Sequence, residues 1–117
     1  MRTNLLTTRV LRVGHAEQDV VFRATGEVDL NTGAELDAEL AELAAQPGVT
    51  GVVCDLTGVG FFGSVGLTVL LAACDRGRFV VVAGPGTAAH RTLQVSGVLE
   101  ALPVVDTVAD GLLALAR

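Results

Sequence analysis

Apolar and polar residues alternate along this chain between runs that suit strands and stripes that suit helices. Residues 5–13, LLTTRVLRV, are rich in β-branched and apolar types and predict a strand. A polar connection from Gly14 to Asp19 leads to a second strand over Val20–Thr25, and so short a connection predicts an antiparallel hairpin. Gly26-Glu27-Val28-Asp29 then reads as a turn that closes the strand. Thr32 and Glu35 have the spacing of a capping box, with Thr32 as N-cap and Glu35 reaching back. Leu36, Leu40 and Leu43 recur at helical spacing until Pro47-Gly48 stops the helix.

The next stretch, Val52 to Cys74, organises the rest. Val52, Val53 and Cys54 form a short apolar run ending in Asp55, the pattern of a buried strand, here over Val49–Asp55. Gly58, Gly60 and Gly63 mark a loop after it, since glycine tolerates positive φ and close approach. From Ser64 the chain is apolar on nearly every face, which predicts a helix buried all round with Ser64 as its N-cap. Asp75-Arg76-Gly77 ends that helix, with Gly77 as an αL cap.

Phe79–Ala83 is another buried strand, and Gly84-Pro85-Gly86 a turn. Thr87 caps a third helix through Val95 or Ser96. Gly97 closes it, and Val98 supplies the apolar contact that accompanies a glycine cap. Leu99–Val105 is a connection with room for a short strand, and Thr107–Ala116 a last helix with Val108, Leu112 and Leu115 on one face. Strand–helix–strand recurs from Val20 onward. The expected fold is therefore α/β, a mixed sheet whose parallel pairs are joined by crossovers.

Composition narrows the class. The 117 residues suit a single domain over 1–117, and half of them are hydrophobic, with neither Trp nor Tyr. No apolar run reaches the roughly 18 residues of a membrane span. The N-terminus has no signal-peptide hydrophobic region, so a cytoplasmic location without membrane insertion is expected. Cys54 and Cys74 form no CxxC and lie in apolar elements, which predicts buried free thiols. The net charge is −5, and every basic residue is Arg. Between Arg23 and Arg76 there is no basic residue, while Glu27, Asp29, Glu35, Asp37, Glu39, Glu42, Asp55 and Asp75 fall in that interval. Such a surface repels phosphates and argues against nucleic acid; it suits a basic protein partner or a plain solvated helix face.

Several chemistries fail on residue grounds. Gly58-Val59-Gly60-Phe61-Phe62-Gly63 matches G-x-G-x-x-G after a strand and before a helix. The strand after that helix, however, ends in Ala83-Gly84 where a dinucleotide fold needs an acid for the ribose, and two Phe crowd the loop. A nucleophile elbow needs Gly two residues before the serine, where Phe62 stands. His15, in the hairpin loop, and His90, early in the third helix, read as surface histidines. No His, Cys and carboxylate cluster has metal-ligand spacing. No catalytic residue, metal or cofactor is expected.

Asp55-Leu56-Thr57, then Phe61 or Phe62, then Ser64-Val65-Gly66-Leu67 resemble the core motif of the STAS domain, best known in the antagonists of bacterial anti-sigma factors. That motif is a strand ending in D-L-S/T, a Phe, and D-S-x-G-L opening a helix. Gly26-Glu27-Val28-Asp29 is similar to the family's G-E-L/I-D. The resemblance covers essentially the whole chain and is closest over residues 52–71. It implies a small mixed sheet of four to five strands with about four helices, mainly on one side. It also implies a non-enzymatic switch, an anti-sigma factor antagonist that binds an ATP-using anti-sigma factor serine kinase and is released when that kinase phosphorylates Ser64. The partner-binding face it implies comprises Glu27, Asp29, Thr57, Gly63, Ser64, Val65 and Gly66. The oligomeric state, monomer or dimer, is left open. Two departures stand out: Gly63 replaces the Asp before the serine, and Val65 replaces the small hydroxyl residue often found after it. Gly63 favours an alternative, a STAS scaffold or sensor module in a signalling or transporter-associated complex that works without phosphorylation.

Overall fold

Valine-rich segments pair side by side at the middle of the sheet, as their apolar runs predict. The computed structural model describes residues 5–14 and 18–116. In chain order the elements are β1 (Leu6–Val13), β2 (Asp19–Val28), α1 (Gly33–Ala45), β3 (Gly51–Phe62), α2 (Ser64–Arg76), β4 (Phe79–Val82), α3 (Ala88–Val95), a single 3₁₀ turn at Leu99–Ala101, β5 (Val104–Val105) and α4 (Val108–Leu115). The sheet order is β1-β2-β3-β4-β5, with β1 antiparallel to β2 and every other pair parallel.

This order decides where the helices go. Right-handed crossovers between sequential neighbours carry every connecting helix to the same face. Accordingly α1, α2 and α3 share a core with Phe22, Leu36, Cys54, Leu56, Leu70, Val81 and Leu93. Only α4, which follows the last strand, packs on the other face, where Leu115 meets Val21, Val53, Val80 and Val82. The expected mixed sheet with helices mainly on one side is what forms. His15 lies outside the described residues.

The main departure from the sequence reading is the glycine segment. It is not a loop: β3 runs unbroken to Phe62 and β2 runs through Gly26 and Glu27 to Val28. The two strands stay paired by slipping register twice. Arg23 pairs Asp55, Thr25 pairs Gly58, Gly26 pairs Val59, Glu27 pairs Phe61 and Val28 pairs Phe62. β3 thus carries extra residues near Leu56–Thr57 and at Gly60, the signature of bulges. Glycine serves this pairing at Gly26, which holds φ 110° and whose Cα lies against the Leu5 carbonyl. It does so again at Gly58, where a Cβ would stand 2.7 Å from Thr25 Cγ2.

The first bulge has its own clamp. Asp55 Oδ1 accepts the Thr57 N–H at 3.0 Å and the Thr57 hydroxyl at 2.6 Å, while Asp55 Oδ2 receives Arg23 Nε at 3.0 Å. The aspartate is only 4% exposed. Burial alone would raise its pKa, but the Thr57 hydroxyl and amide and the Arg23 guanidinium outweigh it and hold the carboxyl below its ordinary value. Burial, and then the charge of Asp55, pushes the neighbouring Cys54 thiol far up, and burial also raises Cys74, then Asp75; both remain free thiols.

Helix ends hold further corrections. Thr32 does not cap α1 with its side chain; its hydroxyl donates to the Glu27 carbonyl at 2.8 Å and accepts the Asp29 N–H at 3.0 Å. The hydroxyl is committed to the strand end, so the capping box with Glu35 does not form. Gly63, not Ser64, is the N-cap of α2, and Ser64 is its first helical residue. α2 is not buried all round: Gly66, Val69, Leu70 and Ala73 face the core while Ser64, Thr68 and Leu71 are exposed. Gly77 adopts φ 156°, ψ −159°, an extended glycine conformation and not αL. The cap of α3 matches expectation, and α4 has one of the same kind. Thr87 accepts the His90 N–H at 3.1 Å and Thr107 the Asp110 N–H at 3.1 Å. Gly97, at φ 76°, ends α3 with Val98 N–H on the Leu93 carbonyl at 3.1 Å and Val98 packed on the core.

Gly66 lies against the buried Phe62 ring, where a Cβ would meet Cε2 and Cε1 at 2.6 and 2.7 Å. Gly66→Ala should therefore destabilise the protein by about 1–3 kcal/mol through overpacking, although alanine is the better helix former; urea unfolding with a lower midpoint would show it. For Asp55 the folded-state pKa is depressed, so its contribution is present above the unfolded value near 4 and is lost as pH falls through the folded value. Asp55→Asn should cost about 1–3 kcal/mol at neutral pH. The gap to wild type should close in acid, as measured by denaturation across pH.

Candidate functional site

The ends of β2 and β3 and the starts of α1 and α2 meet at one edge of the molecule. Gly63 N–H donates to the Val28 carbonyl at 2.8 Å, which fixes the exit of β3 beside the exit of β2. On the other side, the Thr92 hydroxyl of α3 donates to the Phe62 carbonyl at 2.6 Å. The chain then turns into α2, and Gly66 N–H closes on the Gly63 carbonyl at 3.0 Å. The N-termini of α1 and α2 abut: a Cβ on Gly33 would stand 2.9 Å from Val65 Cγ2. Val65, the departure from the small hydroxyl residue, fills this contact.

A surface depression opens here, lined by Asp29, Leu30, Asn31, Phe61, Gly63, Ser64 and Val65. Ser64 is exposed. Two large apolar side chains flank it, Leu30 at 90% exposure and Phe61 at 53%. The structure thereby separates the two phenylalanines of the motif: Phe62 is buried beneath Gly66, and Phe61 points outward. Asp29 shapes the rim. Its Oδ1 accepts the N–H of Asn31 at 2.9 Å and of Thr32 at 3.1 Å, holding the Leu30–Asn31 turn in place.

Of the residues singled out by sequence, Asp29, Gly63, Ser64 and Val65 line the depression, and Gly66 is buried below it. Glu27 is half-buried at the β2–β3 pairing, its carboxylate 3.4 Å from the Leu5 N–H. Thr57 is placed elsewhere. It sits five residues before Phe62 on β3, roughly 16 Å along the strand, and belongs to the Asp55 clamp. Leu30 and Phe61 escaped the sequence reading. Period-two alternation allows only one of Phe61 and Phe62 to point inward, and Leu30 stands alone between polar residues outside any apolar stripe; those were the available signals.

The electrostatics suit an added anion. The first turn of α2 has no acidic residue and no side-chain cap, so its partial positive charge is not offset from within the helix, although the Asp29 carboxylate lines the same depression. Among the described residues no group of His, Cys, Asp and Glu could hold a metal ion, and no helix is long and apolar enough to cross a membrane.

Known proteins share this arrangement. The family model described as the STAS domain matches residues 11–111. The chain is similar to the anti-sigma-F factor antagonist RsfB of Mycobacterium tuberculosis, with 35% identity over 96 residues, covering 79% of this chain and 77% of the relative. The crystal structure of an anti-sigma factor antagonist from Mycobacterium paratuberculosis superposes with a TM-score of 0.83 at 31% identity, covering 97% of this chain and 96% of that one. The anti-sigma factor antagonist SpoIIAA in its unphosphorylated form superposes with a TM-score of 0.73 at 20% identity, covering 95% and 96% of the two chains, a likeness of fold alone. The family model spans most of the chain and the relatives match over most of its length, so the chain belongs to the STAS domain family.

Proposed function

We propose that this chain is an anti-sigma factor antagonist, a binding switch without catalytic activity of its own, controlled by phosphorylation of Ser64. The observation that carries the reading is the exposed serine at the first turn of α2, set between the exposed Leu30 and Phe61. Exposed apolar side chains grouped around one polar residue suit a protein interface. The names of the relatives support the antagonist role. In the unmodified state the depression receives an ATP-using anti-sigma factor kinase, and sigma factor is freed. Transfer of the γ-phosphoryl group to Ser64 Oγ, with loss of its proton, adds about −1.5 to −2 charges at neutral pH. Within the chain that charge is tolerated, because Ser64 stands in the first turn of α2, whose N-terminus carries partial positive charge and no acid. Across an interface it is not, because the phosphate must be desolvated against a surface built for a hydroxyl. Thr57, far from the depression, is outside the proposed surface.

The proposal is tested with the candidate kinase. After incubation with ATP, mass spectrometry should find phosphate on Ser64; label on Thr57 or Thr68 with Ser64 unmodified would overturn the assignment. Ser64→Glu should keep the wild-type circular dichroism and melting curve. Its binding by calorimetry should weaken by about 2–5 kcal/mol, roughly 30- to 5,000-fold. Ser64→Ala should bind and resist release by ATP. Equal affinity of all three forms would favour the scaffold reading, to which Gly63 lends support by lacking the acid of the family motif.

Gly63 permits a second test. Its φ of −81° and ψ of 175° suit any residue, and a Cβ there meets only the exposed Phe61 ring at 3.2 Å and the Val28 carbonyl at 3.4 Å. Aspartate would occupy the N-cap of α2 and accept an N–H from its first turn. Gly63→Asp should raise stability by a few tenths of a kcal/mol, about the difference between Asp and Gly at an N-cap. It should also speed phosphorylation of Ser64 by ordering the loop. A slower or unchanged rate would show that the acid does not limit the transfer.

A further inference from the structure

β1 is an edge of the sheet. β2 pairs along one side of it, and no described strand pairs along the other. Its eight residues contain no proline, and its register against β2 is unbroken, so it lacks two of the devices that close an edge. Glu27 N–H donates to the Leu5 carbonyl at 2.9 Å. In an antiparallel ladder of that register the odd residues of β1 turn their backbone groups toward β2, and Thr8, Val10 and Arg12 turn theirs outward. Beside this open edge, Val10 is 51% and Leu11 62% exposed.

We propose that a second copy of this chain pairs antiparallel with β1 about a two-fold axis at Val10, joining two five-stranded sheets into one. In this register Val10 faces Val10, Arg9 faces Leu11, and Thr8 faces Arg12. The outward backbone groups of Thr8, Val10 and Arg12 each find a partner. Charge selects both the occupant and the register. The Thr8 hydroxyl donates to Glu39 of α1 at 2.5 Å, so a carboxylate stands beside Thr8 at the edge. Arg12, exposed at the same edge, donates to Gln46 at 2.9 Å as one of its contacts. Pairing about Val10 sets Arg12 of each copy opposite Thr8 of the other, within reach of its Glu39 carboxylate, and symmetry makes this attraction twice. An axis at Thr8 would oppose the two Glu39 carboxylates, and one at Arg9 the two guanidinium groups. An axis at Leu11 would set Arg12 against Val10 and leave Glu39 without its cation. In the chosen register the two Arg9 side chains are diagonal neighbours about 7–8 Å apart in solvent, a weak repulsion. The Ser64 depressions lie beyond the Leu5 end of β1, at opposite ends of the joined sheet, so the dimer leaves both open.

Sedimentation equilibrium of the full chain over a micromolar concentration range tests this. Wild type should dimerise reversibly. Val10→Lys places two ammonium groups across the axis and should weaken the dimer about tenfold or more, equivalent to ~1.4 kcal/mol, with circular dichroism unchanged. Arg12→Glu and Glu39→Arg should each weaken it, and the double variant should recover most of the loss, which keeps the test decisive if Val10→Lys fails to fold. A monomer at every concentration would overturn the proposal and leave the edge to a strand from another protein. A dimer indifferent to Val10→Lys, or a double variant no better than either single one, would overturn it too.

Discussion

The parallel pairing of β2 with β3, bulged twice, is the constraint on which the rest of the molecule depends. Both strands must end together at Val28 and Phe62, because only then does Gly63 N–H reach the Val28 carbonyl. Yet Arg23 to Val28 covers five steps of chain and Asp55 to Phe62 covers seven. The bulges absorb the difference. A bulge disrupts the ladder at the extra residue, and Asp55 supplies a carboxylate to the Thr57 amide there. The aspartate and threonine of the motif thus serve the strand that delivers the serine, not the surface that displays it.

Close packing then carries that placement into the helices. Gly66 lets α2 descend onto the Phe62 ring, and Gly33 lets α1 approach Val65. Two helix N-termini are drawn to one spot; that of α1 is met by the Asp29 carboxylate, while that of α2 leaves its partial positive charge beside the exposed Ser64. A charged group placed there need not disturb the fold, which a switch based on a modified serine requires. Asp29 and Thr32 complete the arrangement from the β2 side. Their side chains are spent on the backbone of the turn, so Leu30 and Asn31 are held outward without support of their own.

Charge is distributed as unevenly as the packing. The outer positions of α1 carry Glu35, Asp37, Glu39 and Glu42, with Arg76 of α2 reaching Asp37 at 2.9 Å. Arg9, Arg12 and Arg23 lie instead on β1 and β2. The acidic helix and the basic strand β1 meet along the sheet edge, where Glu39 lies by Thr8 and Arg12 stands four residues on. A surface of this kind complements itself when turned through a two-fold axis.

The sequence by itself determined whatever local periodicity and capping can determine. The alternation of strands and helices was legible because each element's apolar spacing is its own, and the caps at Thr87 and Gly97-Val98 because a cap involves residues only a few positions apart. The position of Ser64 at the start of a central helix was legible in the same way. Tertiary structure decided the rest. Glycines at 58 and 60 read locally as a loop, and they are strand because β2, more than thirty residues away, pairs with Gly58 and with the residues on either side of the bulged Gly60. Thr32 has the look of a cap, but the Glu27 carbonyl and the Asp29 amide compete for its hydroxyl. An apolar α2 looked buried on every side, but α1 and the sheet cover only part of its circumference. Which phenylalanine faces outward, and that Leu30 stands beside it, depended on where two bulges shifted the register. Spacing along the chain carries no record of such shifts, because they arise from the fit between strands that are distant in sequence.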